Sequence, residues 1–141
     1  LTASADWTAR LWSLDSADLV RTFEGHRDIV RSAAFSPDGL QVITASDDRT
    51  ARLWCAESGE CQRVLDGHRS MVNSAAFSPT GGQAITASAD RTARVWCASS
   101  GECLRMLEGH GGFVNSAEFS QDGAQAVTAS DDGTVKLWSV E

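Results

Sequence analysis

The chain repeats itself every 42 residues, and that period constrains its fold more than any local motif. Tryptophans stand at Trp12, Trp54, Trp96 and Trp138, and Gly-His pairs at Gly25-His26, Gly67-His68 and Gly109-His110. Asp6, Asp48, Asp90 and Asp132 form a third ladder; Phe35, Phe77 and Phe119 form a fourth. Residues 43–84 and 85–126 are identical at 29 of 42 positions. Units this alike fold alike and bury the same face against each neighbour. Self-similarity at roughly 40–45 residues therefore indicates a repeat array and not one irregular core.

One unit, residues 27–68, shows how each repeat folds. The apolar stretch Ile29 to Phe35 stops at Ser36-Pro37-Asp38-Gly39, a turn signal with Pro and Gly in their usual places. The β-branched run Gln41 to Ser46 stops at Asp47-Asp48-Arg49, and Thr50 to Cys55 stops at Ala56-Glu57-Ser58-Gly59. Glu60 to Leu65 then runs into Asp66-Gly67-His68. Four short strands joined by polar turns predict an antiparallel meander. Several of these strands are apolar or small on both faces, as a sheet between two neighbours requires. Pro and Gly interrupt any helical period.

The series Gly-His, Phe-Ser-Pro-Asp-Gly and Thr-Ala-Ser-Asp-Asp-Arg-Thr-Ala-Arg-Leu-Trp resembles the WD-repeat (WD40) β-propeller family along the whole chain. One departure is that the family's Trp-Asp dipeptide is Trp12-Ser13, Trp54-Cys55, Trp96-Cys97 and Trp138-Ser139. The Trp carries the packing, so the expected fold is unchanged. The resemblance implies an all-β segment of four-stranded blades, strands a (inner) to d (outer). Residues 1–25 would supply strands b, c and d of a partial blade, 26–67 and 68–109 two complete blades, and 110–141 strands a, b and c of a last partial blade. That makes about fourteen strands and no closed ring in this chain, since propellers use roughly four to eight blades.

Composition narrows the partners. Twelve basic against 19 acidic residues leave a net charge of −7, with no basic stripe along the sequence, which argues against nucleic acid. No apolar run approaches the roughly 18–20 residues that cross a bilayer, and no leader pattern opens the chain at Leu1. No cofactor is implied.

The recurring His, Asp and hydroxyl residues are the sets a nucleophilic triad uses. Repetition argues otherwise, because an enzyme seldom needs one triad in every repeat. In the family these residues and the Trp form a buried hydrogen-bond network. Here one set is Thr44, Asp48, Trp54 and His68 and the next is Thr86, Asp90, Trp96 and His110, with Ser46 an alternative hydroxyl. Arg10, Arg52, Arg94 and Lys136, two residues before each Trp, read as structural or solvated. Cys55 and Cys61, like Cys97 and Cys103, straddle a hairpin and suit either cross-strand disulfides or reduced apolar thiols. The family's usual intracellular setting favours thiols. Zinc is disfavoured without a Cys-x2-Cys.

What differs between repeats points to partners. Trp7, Arg49 and Arg91 vary after the ladder Asp, Arg27 and Arg69 vary in the d–a loop, and Arg31, Asn73 and Asn115 begin strand a. The resemblance places these on one face that grips a protein or peptide. An exposed Trp among Arg residues is hot-spot chemistry, although Trp7 also suits packing beneath an upstream segment. The expected function is a non-catalytic scaffold. The alternatives are a regulatory or sensor region of a larger multidomain protein, or a structural subunit of a large complex. Apolar outer faces further imply the rest of a longer propeller, or more copies of this chain, as neighbours.

Overall fold

The computed structural model describes residues 1–140. Among them there is no helix, and hence none long and apolar enough to cross a membrane. Fourteen strands form four antiparallel sheets, each a simple meander. The first holds β1 (Thr2–Ala3), β2 (Ala9–Trp12) and β3 (Leu19–Phe23). The second holds β4 (Val30–Phe35), β5 (Gln41–Ser46), β6 (Thr50–Cys55) and β7 (Cys61–Asp66). The third repeats it with β8 (Val72–Phe77), β9 (Gln83–Ser88), β10 (Thr92–Cys97) and β11 (Cys103–Glu108). The fourth has β12 (Val114–Phe119), β13 (Gln125–Ser130) and β14 (Val135–Ser139). Innermost strands β4, β8 and β12 lie against one another, and the sheets form an open array and not a ring.

Turn chemistry defines each strand end. Ser36 Oγ donates to Asp38 at 2.6 Å and accepts the Gln41 N–H at 2.9 Å, which closes the β4–β5 hairpin. The β5–β6 turn needs a left-handed residue after its Asp. That residue is Gly133 in the fourth sheet (φ 79°), but Arg49 (φ 73°), Arg91 (φ 72°) and Trp7 (φ 72°) elsewhere. A bulky side chain there carries backbone strain that glycine avoids.

The core lies between sheets, not within one. Ile43, Ala45, Ala51, Leu53 and Leu65 of the second sheet pack on Val72, Ala75, Ala84, Trp96 and Ala98 of the third. The same contact recurs between the third and fourth sheets, and Ala9 and Phe23 meet Val30, Val42 and Trp54 between the first and second. Polar ties reinforce it: Arg21 donates to the Glu57 carbonyl of the next sheet, and Arg63 Nε to the Ser99 carbonyl at 2.9 Å. The outward face of the fourth sheet breaks the pattern. Val127, Val135 and Leu137 are 39%, 68% and 65% exposed, whereas their counterparts Ile43, Ala51 and Leu53 are at 0%.

The hairpin cysteines, whose spacing allows them to face each other, do not. A bulge between Leu53 and Trp54 sets Cys61 opposite Trp54, not opposite Cys55, and Cys103 opposite Trp96. All four are free thiols, with Cys61 and Cys103 exposed and Cys55 and Cys97 half-buried. The hydroxyls of Ser100 and then Ser99, the latter 3.2 Å from Cys97 Sγ, lower the Cys97 thiol to about 7. Alkylation at neutral pH, followed by peptide mass spectrometry, is expected to label Cys97 ahead of the more exposed Cys103. Faster labelling of Cys103 would contradict it.

Candidate functional site

Three copies of one network sit at the ends of the inner strands, and their membership corrects the sequence pairing. His68 does not join Asp48 and Thr44, nor does His110 join Asp90 and Thr86. His26 Nδ1 meets Asp48 Oδ2 at 2.7 Å, and its Nε2 meets Thr44 Oγ1 at 2.7 Å. His68 takes Asp90 (2.8 Å) and Thr86 (2.7 Å), and His110 takes Asp132 (2.8 Å) and Thr128 (2.7 Å). Each His precedes the first strand of a sheet and therefore reaches that sheet's own β-turn, not the sheet behind it. The expected burial of His68 and His110 is found, at 5% and 7% exposed.

The network has a direction. Trp54 Nε1–H donates to Thr44 Oγ1 at 2.8 Å, as Trp96 does to Thr86 at 2.9 Å and Trp138 to Thr128 at 2.8 Å. An indole only donates and a carboxylate only accepts. A neutral imidazole satisfies every atom of this set when the Thr hydroxyl donates to His Nε2 and His Nδ1–H donates to the Asp. Burial agrees with this, pushing His26 and His68 below their ordinary value despite the neighbouring Asp48 and Asp90. Each carboxylate takes further donors. Asp48 accepts the Arg27 and Thr50 N–H groups at 3.0 Å and the Thr50 hydroxyl at 2.7 Å. Burial alone raises Asp48 and Asp90, but these donors and the His outweigh it and hold both at about 2. The Thr134 hydroxyl leads the lowering of Asp132.

Acid should therefore weaken the fold in two windows. His26 and His68 have folded values below 6.5, so the unfolded chain binds their protons first and stability falls as pH drops below about 6.5. Asp48 and Asp90 contribute stability that is complete above about 4 and is lost as pH falls towards about 2. Urea midpoints measured across this range test the sign; a midpoint that rises between pH 7 and 5 would count against it.

Gly25 and Gly67 of the Gly-His pairs make room for a cation. A Cβ on Gly67 (φ 157°) would lie 2.7 Å from Arg94 Nη1 and 3.3 Å from Trp96 Cη2. Arg94 and Arg52 lay their guanidinium carbons over Trp96 and Trp54, each 6.0 Å from the ring centroid. Sequence reasoning read these arginines as structural or solvated. The signal for more was their place two residues before each Trp, because residues i and i+2 share one face of a strand.

The candidate gripping residues divide into free and tethered. Trp7 is 51% exposed at the tip of its turn. Arg27, Arg49, Arg69 and Arg91 are exposed, and among the described residues their guanidinium groups contact no carboxylate. Arg31 is clamped on Asp47 by two bonds of 2.7 and 2.6 Å. Asn115 donates to Asp131, and the half-buried Asn73 donates to the Val114 carbonyl of the next sheet at 2.9 Å. Arg27 and Arg49 converge with Arg52 on one groove of about 470 Å³. Among the described residues no group of His, Cys, Asp or Glu is arranged to hold a metal.

No curated protein matched the chain in a sequence comparison. The profile of the family "WD domain, G-beta repeat" matches three times, at residues 17–55, 59–97 and 101–139. Each match encloses one whole network: His26, Thr44, Asp48 and Trp54, then His68, Thr86, Asp90 and Trp96, then His110, Thr128, Asp132 and Trp138. With the sheet topology and these matches over most of its length, the chain belongs to the WD40 repeat family.

Proposed function

We propose that this chain is a non-catalytic scaffold that binds a protein or peptide through its d–a loops and β-turn tips. One observation carries the reading. Every repeated His, Asp, Thr and Trp capable of chemistry is engaged in an internal network, with both imidazole nitrogens occupied. Among the described residues no nucleophile and base are left poised together, whereas Trp7, Arg27, Arg49, Arg69 and Arg91 stand exposed on the variable loops. WD40 proteins are in general non-catalytic interaction scaffolds, which supports this reading. The test is affinity capture with the full chain beside a Trp7→Ala, Arg27→Ala, Arg69→Ala variant. Specific partners should be lost from the variant and kept by Gln62→Ala on the opposite rim. Identical capture by all three would overturn the reading.

A second observation concerns what flanks the array. The exposed Val127, Val135 and Leu137 repeat a face that the second and third sheets bury, so a further blade of this repeat fits it. That blade belongs to a longer propeller or to another copy of the chain. Light scattering on the 141 residues alone should show association or aggregation. A monodisperse, well-folded monomer would refute this.

A further inference from the structure

The unpaired arginines of the loop face have a common chemistry. In a chain of net charge −7, Arg10 pairs with Asp6 (2.7 Å) and Arg31 with Asp47, while Arg21 and Arg63 donate to carbonyls of the next sheet. Among the described residues Arg27, Arg49, Arg52, Arg69, Arg91 and Arg94 form no ion pair. The sequence hides the cluster, because its members lie 22 and 3 residues apart. The first groove is lined by Arg27, Arg49 and Arg52 with Asp48 and Asp66, and Arg69, Arg94, Asp90 and Glu108 line its counterpart one repeat on. Asp48 and Asp90 already accept from His and backbone donors, so only Asp66 and Glu108 are unsatisfied acids there.

Two further observations say that these cations are not incidental. The Nε atoms of Arg52 and Arg94 are buried without an acceptor, as is that of Arg21 outside the grooves, a costly state for a donor. Arg49 and Arg91 occupy left-handed backbone where Gly133 sits in the next repeat. That same repeat also has Gly111 in place of Arg27 and Arg69. The loop and turn arginines are thus present together in two repeats, the turn pair in left-handed backbone, and absent together from the third. Strain that persists at a surface position points to a role for the side chain.

We propose that these two grooves bind side-chain carboxylates of an acidic peptide segment, one repeat apart. This rests on the reading of the loop face as the partner-binding face. A guanidinium fork matches a carboxylate bidentately, and two grooves on one rigid array hold a segment with acids at matching spacing more tightly than either alone. Asp66 and Glu108 line the same grooves. Repulsion from them and from the net charge of −7 grows with charge density, so a duplex phosphate backbone with about one charge per 1.7 Å meets more of it than a peptide with spaced acids.

Fluorescence anisotropy of a labelled deca-glutamate peptide against the full chain tests the proposal. Saturable binding that weakens as salt is raised is expected. Arg49→Gly with Arg91→Gly should weaken it about tenfold while thermal stability is kept or raised, because glycine suits that backbone. Arg27→Ala with Arg69→Ala should do the same on exposed loop positions, should the first pair fold poorly. Arg31→Ala, whose cation already serves Asp47, should change affinity less than about twofold. Equal losses from Arg31→Ala would mean a diffuse field and overturn the grooves. So would unchanged affinity in both double variants, or tighter binding of a DNA oligonucleotide of matched charge. Absent deca-glutamate binding beside successful partner capture by the loop face would overturn this inference alone and leave the scaffold reading standing.

Discussion

Trp54→Ala is expected to destabilise the chain by about 4–5 kcal/mol, close to the whole stability of many domains. The indole is 1% exposed, packs on Phe23 of the preceding sheet at 5.8 Å, and lies edge-on to His26 at 6.0 Å. Its removal leaves a cavity between two sheets and strips Arg52 of its aromatic platform. Trp54→Phe should retain much of the packing and lose the bond to Thr44, costing about 1–3 kcal/mol. Trp12 is the internal control. It repeats the Trp54 position and donates to Thr2, but it is only half-buried, with no sheet of the described residues behind it. Its replacement should cost far less. Equal costs at the two positions, measured by denaturant midpoint, would show that the inter-sheet contact is not what the indole supplies.

Asp90→Ala comes next, at about 3 kcal/mol. Four donors lose their acceptor at once: His68 Nδ1, the Arg69 N–H, and the Thr92 N–H and hydroxyl. The loss is larger than one hydrogen bond because His68 is buried and water cannot replace the carboxylate freely. Asp90→Asn keeps an acceptor oxygen and should cost less. Asp6 holds the equivalent place in the first repeat, but it is exposed and bonds no His. Asp6→Ala should therefore be nearly silent. A loss below about 1 kcal/mol for Asp90→Ala would dismiss the network as a stabilising element.

Much of this was legible in the residues. The 42-residue ladders gave the strand number, and the repeated His, Asp, Thr and Trp gave the network's members. Their partnership was not legible for a plain reason. His68 lies 20 residues after Asp48 and 22 before Asp90, and spacing cannot choose between two such distances. Only the packing of a loop onto the sheet that follows it decides. The cysteine register failed differently, through a bulge beside Trp54 that inserts one residue and shifts every later pair. The variable loop residues were visible as a class, but which of them a neighbour restrains is a matter of contact. Arg31 and Arg49 look alike in sequence; one is held by Asp47 and the other is free.

The phase of the network has one more consequence. Each matched stretch begins near the last strand of one sheet and ends with the third strand of the next, so it straddles an interface. His26 through Trp54 therefore travel together as a closed hydrogen-bonded set, and so do His68 through Trp96. A duplication or deletion of one such stretch adds or removes a whole set, splits none, and rejoins faces that were already complementary. Genetic copying can lengthen or shorten this array in whole steps, and the 29 identities in 42 between residues 43–84 and 85–126 are the trace such copying leaves.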